Sequence, residues 1–123
     1  MPITSNTSPI IALAKIGRLK LLKDLYGAVV VSQFVKVESV DRGRELGATD
    51  ALEIERAINE GWIKVADLTK RRRQTVQRLV TEARVGFGEA GALTIARDKK
   101  IPIILDDKEA RALAKSWDVE RTS

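Results

Sequence analysis

The side chains able to do chemistry in this chain are carboxylates. The sequence has no His and no Cys. That removes Ser-His-Asp and Cys-His nucleophile systems, histidine acid–base catalysis, disulfides and practically all zinc sites. A site built from carboxylates suits hard, oxygen-seeking cations, so Mg²⁺ or Mn²⁺ is the cofactor class implied. Asp106-Asp107 follows the apolar run Ile103-Ile104-Leu105 directly. Asp106 is explained as a helix cap, because with Glu109 it makes a D-x-x-E capping box. Asp107 is not needed for that cap, and two adjacent carboxylates at a buried strand end repel unless a cation or a basic group neutralises them. Glu89 precedes Ala92, Leu93 and Ala96 at helical spacing, which places it within their apolar stripe. A favourable helix dipole, worth about 0.3–1 kcal/mol, explains an acid in a first turn but not one on that face. Glu38 stands in the same relation to Phe34 and Val35. Acids on two helices and one strand end make a candidate metal cluster.

Charge is distributed unevenly around these acids. The net charge is +5, and residues 64–84 carry all of it: Lys64, Lys70, Arg71, Arg72, Arg73, Arg78 and Arg84 stand against Asp67 and Glu82 alone. A localised basic segment reads either as a phosphate-backbone contact surface or as a solvated helix face. It carries no interleaved aromatics for base stacking. Gly86-Phe87-Gly88-Glu89-Ala90-Gly91 matches G-x-G-x-x-G, but a dinucleotide fingerprint must follow a strand, and a basic helical stretch precedes this one.

The elements that must position the acids alternate along the chain. Ile3 to Ser5, Ala28 to Val31, Trp62 to Val65 and Ile101 to Leu105 read as strands. Between them, helices are expected from Ser8-Pro9 to Gly17 (Ser8 capping and Ile10, Leu13 and Ala14 inward), from Arg18 to about Tyr26 (Leu19, Leu22 and Leu25 on one face), and from Ser32 towards Arg42 and Gly43. Further helices are expected at Ala48 to Glu60 (Leu52, Ile54, Ala57 and Ile58 inward), Lys70 to Ala83, Glu89 to Arg97, and Lys108 to Lys115. Such alternation predicts an α/β fold with a parallel sheet covered on both faces, in which ligands bind beyond the carboxyl ends of the strands. At 123 residues this is one domain. With aromatics at 4 % its core must be aliphatic. There is no signal-peptide pattern and no run of the roughly 20 apolar residues a spanning helix needs, so the expectation is a cytoplasmic protein without membrane association.

Three blocks in order carry a family resemblance: Ser5-Asn6-Thr7-Ser8-Pro9 running on to Gly17, then Gly86-Phe87-Gly88-Glu89-Ala90, then Leu105-Asp106-Asp107 running on to Arg111. Together they resemble PIN-domain proteins, in particular the prokaryotic, often archaeal, VapC-like predicted nucleases. The resemblance implies a Rossmann-like parallel sheet of about four to five strands flanked by helices on both faces. It also implies metal-dependent cleavage of RNA, often by the toxin of a toxin–antitoxin pair. Glu38, Glu89 and Asp107 then match the catalytic acids. Asn6 stands where the first acid is usually Asp, and Asp106 supports it as a further metal ligand. Ser8 takes the accompanying hydroxyl position. The chain also ends at Ser123, where family members usually continue, so a single domain over residues 1–123 is expected to lack the usual C-terminal strand and helices.

The expected activity is thus Mg²⁺- or Mn²⁺-dependent phosphodiester hydrolysis of RNA. Glu38, Glu89 and Asp107 are its catalytic residues, and Asn6, Glu38, Glu89, Asp106 and Asp107 its metal ligands. Ser8, Arg71, Arg72, Arg73 and Arg78 contact the nucleic acid. The expected partners are RNA, an antitoxin protein and a second copy of the chain in a homodimer. The rival expectation, motivated by Asn6 and the short C-terminus, is a degenerate PIN-like module that binds nucleic acid or protein without catalysis.

Overall fold

The computed structural model describes residues 2–41, 49–105, 115 and 121–122. Its strands are β1 (Ile3–Ser5), β2 (Val29–Ser32), β3 (Ile63–Ala66), β4 (Ile103–Ile104) and β5 (Arg121–Thr122). They form one sheet in the order β3-β2-β1-β4-β5, and every pairing is parallel. Thr4 of β1 lies opposite Val30 on one side and Ile103 on the other, so β1 is the central strand. The helices are α1 (Thr7–Lys15), α2 (Lys20–Tyr26), the single turn α3 (Gln33–Lys36), α4 (Thr49–Glu60), α5 (Lys70–Glu82) and α6 (Phe87–Lys99). The expected α/β sheet is therefore present, with β1 to β4 at the predicted places; β5, at Arg121–Thr122, is a fifth strand where none was expected.

Successive strands step outward from β1 through β2 to β3, and the chain then returns across the sheet to place β4 on the other side of β1. The order reverses between β1 and β4, and the crevice at the carboxyl ends of those two strands is the switch point where open parallel sheets bind ligands. Two apolar clusters cover the two faces. One joins Ile10, Leu22, Val35, Ile54 and Trp62 to Ile3, Val29, Val31 and Ile63 of the sheet. The other packs α5 and α6 through Val76, Leu79, Leu93 and Ala96 against Ile103 and Leu105. The largest fully buried side chains are all Ile, Leu or Val, as the low aromatic content requires. Among the described residues no helix is long and apolar enough to cross a membrane.

Several local expectations change. α1 begins at Thr7, with Asn6 as the flanking residue, so Ser8 sits inside the first turn, exposed, and does not cap. Leu25 is 70 % exposed. Its helix has seven residues, and the contact it makes on the core side is filled by Leu19 and Leu22. Leu52 is 55 % exposed, because it lies about 200° around α4 from Ile54 and Ala51 takes the inward place. Gly17 and Gly61 end their helices as predicted, at φ +68° and +91°, a region that L side chains avoid. The helix expected from Ser32 to Arg42 is not continuous. After α3 the chain widens into a π turn over Val37–Asp41. Ser39 donates its hydroxyl to the Val35 carbonyl at 2.5 Å, four residues back, which competes with the α-helical ladder at that point.

Candidate metal site at the carboxyl end of the sheet

Helix α6 builds one wall of the switch-point crevice. It is buried on nearly every side from Gly88 to Ala96, lying between the sheet and α5. Glu89 is thus half-buried for a different reason from the one the stripe suggests. The helix has almost no wet face there, and its first turn emerges beside the end of β1. Its start carries three glycines, and each leaves room for a particular group. A side chain at Gly86 would collide with Oε2 of Glu89. A Cβ at Gly88 would stand 3.4 Å from Oε1 of Glu38 and 3.7 Å from Oγ1 of Thr7. A Cβ at Gly91 would stand 3.0 Å from Oγ of Ser32 and 3.4 Å from Cδ2 of Phe34. The G-x-G-x-x-G spelling therefore reflects close packing around two glutamates, not a dinucleotide loop.

Asn6 leaves β1 into this crevice and is 2 % exposed. Its Nδ2 donates to Oε1 of Glu89 at 3.1 Å, joining positions 83 residues apart. Its Oδ1 is buried without a hydrogen-bond partner among the described residues, and so are Oγ1 of Thr7 and Oγ of Ser32. Buried polar atoms are seldom left unpaired. These three lie at the ends of β1 and β2, and all abut the first turns of α6, through Glu89, Gly88 and Gly91 respectively. Glu38 reaches the same place from the π turn, but its side chain is exposed at the mouth instead of turned inward as its spacing suggests.

The structure therefore brings together Asn6, Glu38 and Glu89 of the predicted set, and adds Thr7 and Ser32. Asp106 and Asp107 lie outside the described residues, and among the described residues no group of three acids converges. The donor set nonetheless fits a hard cation. It offers two carboxylates, an amide oxygen and two hydroxyls, all oxygen, three of them buried and unpartnered. The signal for Thr7 and Ser32 was a hydroxyl residue within two positions of a fully buried strand end. Ser32 stands where a helix cap is expected, and it flanks α3 without making the capping hydrogen bond.

The predicted phosphate-contacting arginines divide in two. Arg72 pairs its Nε with Asp98 at 2.8 Å and donates to the Asp67 carbonyl, also at 2.8 Å, tying the start of α5 to α6. Arg73 donates Nε to the Leu68 carbonyl at 3.0 Å. Arg71 and Arg78 are exposed.

Comparison with known proteins agrees with this architecture. The sequence model described as PIN domain matches residues 2–122. The fold is similar to that in the crystal structure of VapBC2 from Rickettsia felis bound to a DNA fragment from their promoter. The TM-score is 0.60 at 13 % identity, covering 99 % of this chain and 98 % of that one. It is also similar to PAE2754 from Pyrobaculum aerophilum, with a TM-score of 0.56 at 18 % identity over 91 % of this chain and 86 % of that one. No curated protein matches the sequence.

Proposed function

This chain belongs to the PIN-domain family, and from that premise we propose that it is a metal-dependent ribonuclease acting as the toxin of a toxin–antitoxin pair. The observation that carries the reading is the meeting of Glu38, Glu89 and the unpartnered oxygens of Asn6, Thr7 and Ser32 at the switch point of the sheet. When bound, Mg²⁺ or Mn²⁺ supplies Lewis acidity, activating water and neutralising charge at the phosphodiester. Glu38, Glu89, Asp107 and Oδ1 of Asn6 are the groups that would hold it, with Asp106 beside them. Asn6 fixes the orientation of Glu89 through its amide. The hydroxyls of Thr7 and Ser32 lie behind these groups, buried and without a partner among the described residues. Ser8 and the basic residues of α5, chiefly Arg71, Arg73 and Arg78 because Arg72 is held by Asp98, position the RNA backbone. Attack by water leaves a 5′-phosphate and a 3′-hydroxyl.

The architecture shared with VapBC2, which is a complex bound to promoter DNA, favours an antitoxin partner for this chain too. Leu21 and Leu25, one helical turn apart and both exposed on α2, favour an apolar contact with that antitoxin or with a second copy in a homodimer. The cytoplasm is the compartment where RNA and such a partner meet.

A second reading, a binding module without catalysis, is favoured by one observation: the amide of Asn6 already satisfies one oxygen of Glu89. Cleavage of labelled single-stranded RNA by the purified protein separates the two. Cleavage is expected to stop on chelation with EDTA, to return with Mn²⁺, and to be lost in Asp107→Asn. Cleavage indifferent to both treatments would sink the ribonuclease reading, and RNA binding without cleavage in any divalent cation would establish the second.

Gly88 gives a further prediction in which stability and function move oppositely. Alanine is the better helix former by about 0.8–1 kcal/mol, and its methyl fits at ordinary contact distance. Gly88→Ala should therefore melt at a slightly higher temperature while binding Mn²⁺ more weakly, because the methyl occupies the space between Glu38 and Thr7. Calorimetric melting beside Mn²⁺ titration reads both.

A further inference from the structure

The chain has two phenylalanines, and although 53 positions separate them, both stand at one cleft beside the carboxylate site. Phe34 of α3 and Phe87 of α6 have ring centroids 5.4 Å apart and planes tilted by 45°. Phe87 is 46 % exposed, so the core does not account for it. The cleft they share has a volume of about 410 Å³, within the usual range for small-molecule sites. Its floor is apolar, made by Leu68 and Val76. Its rim carries the amides of Gln33 and Gln77 and the guanidinium of Arg73, and no acidic side chain lines it among the described residues.

We infer that this cleft binds an unpaired nucleobase of the RNA, stacked on the Phe34–Phe87 pair, with the strand running on from it towards the candidate site at the start of α6. The inference rests on the ribonuclease reading and deepens it. Continuity comes from α6 itself: Phe87 immediately precedes Gly88 and Glu89, and Phe34 packs at the Gly91 position that also abuts Ser32. Charge points the same way. The opposite wall is α5, which brings Arg73 to the cleft and carries five basic residues against one acid, Glu82, a balance suited to a polyanion. The basic helix has no aromatics of its own, and the fold brings them to it from α3 and α6. Each glutamine offers both a donor and an acceptor, the pattern needed to hydrogen-bond a base edge. An apolar protein side chain would need neither amide.

The test uses the full-length protein and fluorescein-labelled octamers of rA, rU and rC, with binding followed by anisotropy in EDTA so that cleavage does not interfere. Phe87→Leu keeps an apolar side chain and removes the π face. It is expected to weaken binding about 5-fold to 100-fold, whereas Phe87→Tyr stays within about twofold. Gln77→Ala is expected to alter the ranking of the three octamers. In the NMR spectrum, AMP should move the Phe ring resonances and ribose 5-phosphate should not. If Phe87→Leu binds as wild type does, or restores binding that Phe87→Ala loses, the cleft takes an apolar group and the inference is overturned. Should wild type still cleave RNA in that case, the ribonuclease reading stands without it. Wild-type protein that neither binds nor cleaves any octamer defeats both.

Discussion

Replacing Glu89 by Gln is expected to reduce RNA cleavage by at least about 100-fold in a protein that melts within a few degrees of wild type. The two halves have separate causes. Gln keeps the length of the side chain and an Oε1 that can still accept from Nδ2 of Asn6, now at 3.1 Å. It also places an atom of similar size above Gly86, where Oε2 lies. Packing is therefore almost unchanged, and stability with it. The substitution removes one negative charge from a site whose first acid is already Asn. Loss of a hydrogen bond behind a metal ligand typically costs 10-fold to 100-fold, so loss of a ligand's charge belongs at the upper end of that range or beyond. Initial rates at saturating Mn²⁺, beside a circular-dichroism melt, measure both halves. A Gln variant that cuts RNA at the wild-type rate would remove Glu89 from the mechanism. Glu38→Gln is the informative companion. Glu38 is exposed at the mouth, so its stability effect should fall within about 0.5 kcal/mol.

The second large effect is expected at Gly91, and it falls on stability. A Cβ there would lie 3.0 Å from Oγ and 3.1 Å from Cβ of Ser32, tighter than nearly all real contacts of this kind. Neither side can yield easily. Ser32 is fully buried at the end of β2, and α6 is enclosed by the sheet and α5. Gly91→Val adds two more methyls to that contact. Overpacking of this kind costs about 1–3 kcal/mol, offset by a few tenths gained from better helix propensity. A net loss of about 2 kcal/mol corresponds to a fall of roughly 8 °C in Tm for a chain of this size. A melt unchanged by Gly91→Val would mean that α6 and β2 are not in close contact. With Gly88→Ala expected to move the other way, the pair distinguishes a glycine kept for packing from one kept for room at the site.

Much of the fold was legible because its signals are local. Val29-Val30-Val31 could only be a buried strand, and Gly17 and Gly61 ended helices where a left-handed conformation was needed. Alternation of strands and helices then required a parallel sheet. Positions that depend on what covers them were not legible. Leu25 and Leu52 look inward on a helical wheel, but how far a neighbouring layer extends decides their burial. The π turn at Val37–Asp41 depends on Ser39 competing for a carbonyl, which apolar spacing does not register. At the site, Glu38 and Glu89 were found from their positions on helices, though Glu89 is half-buried because α6 is enclosed and Glu38 is exposed. Thr7 and Ser32 were missed because a hydroxyl beside a helix start has an ordinary explanation, as part of a turn for Thr7 and as a cap for Ser32. Only the absence of a capping bond, together with convergence on α6, sets them apart.

The bond between Asn6 and Glu89 also sets a schedule for synthesis. At about 5–20 residues per second a ribosome needs roughly 4–17 s to add the 83 residues between them. The central strand β1 waits longer still for β4, its partner on one side. A nascent chain therefore holds an unfinished sheet with a bare edge, and the groups of the candidate site remain apart until most of the protein has been translated. On the ribonuclease reading, the chain does not become a nuclease while the early part of its message is being read, and an antitoxin made at the same time has several seconds in which to be ready.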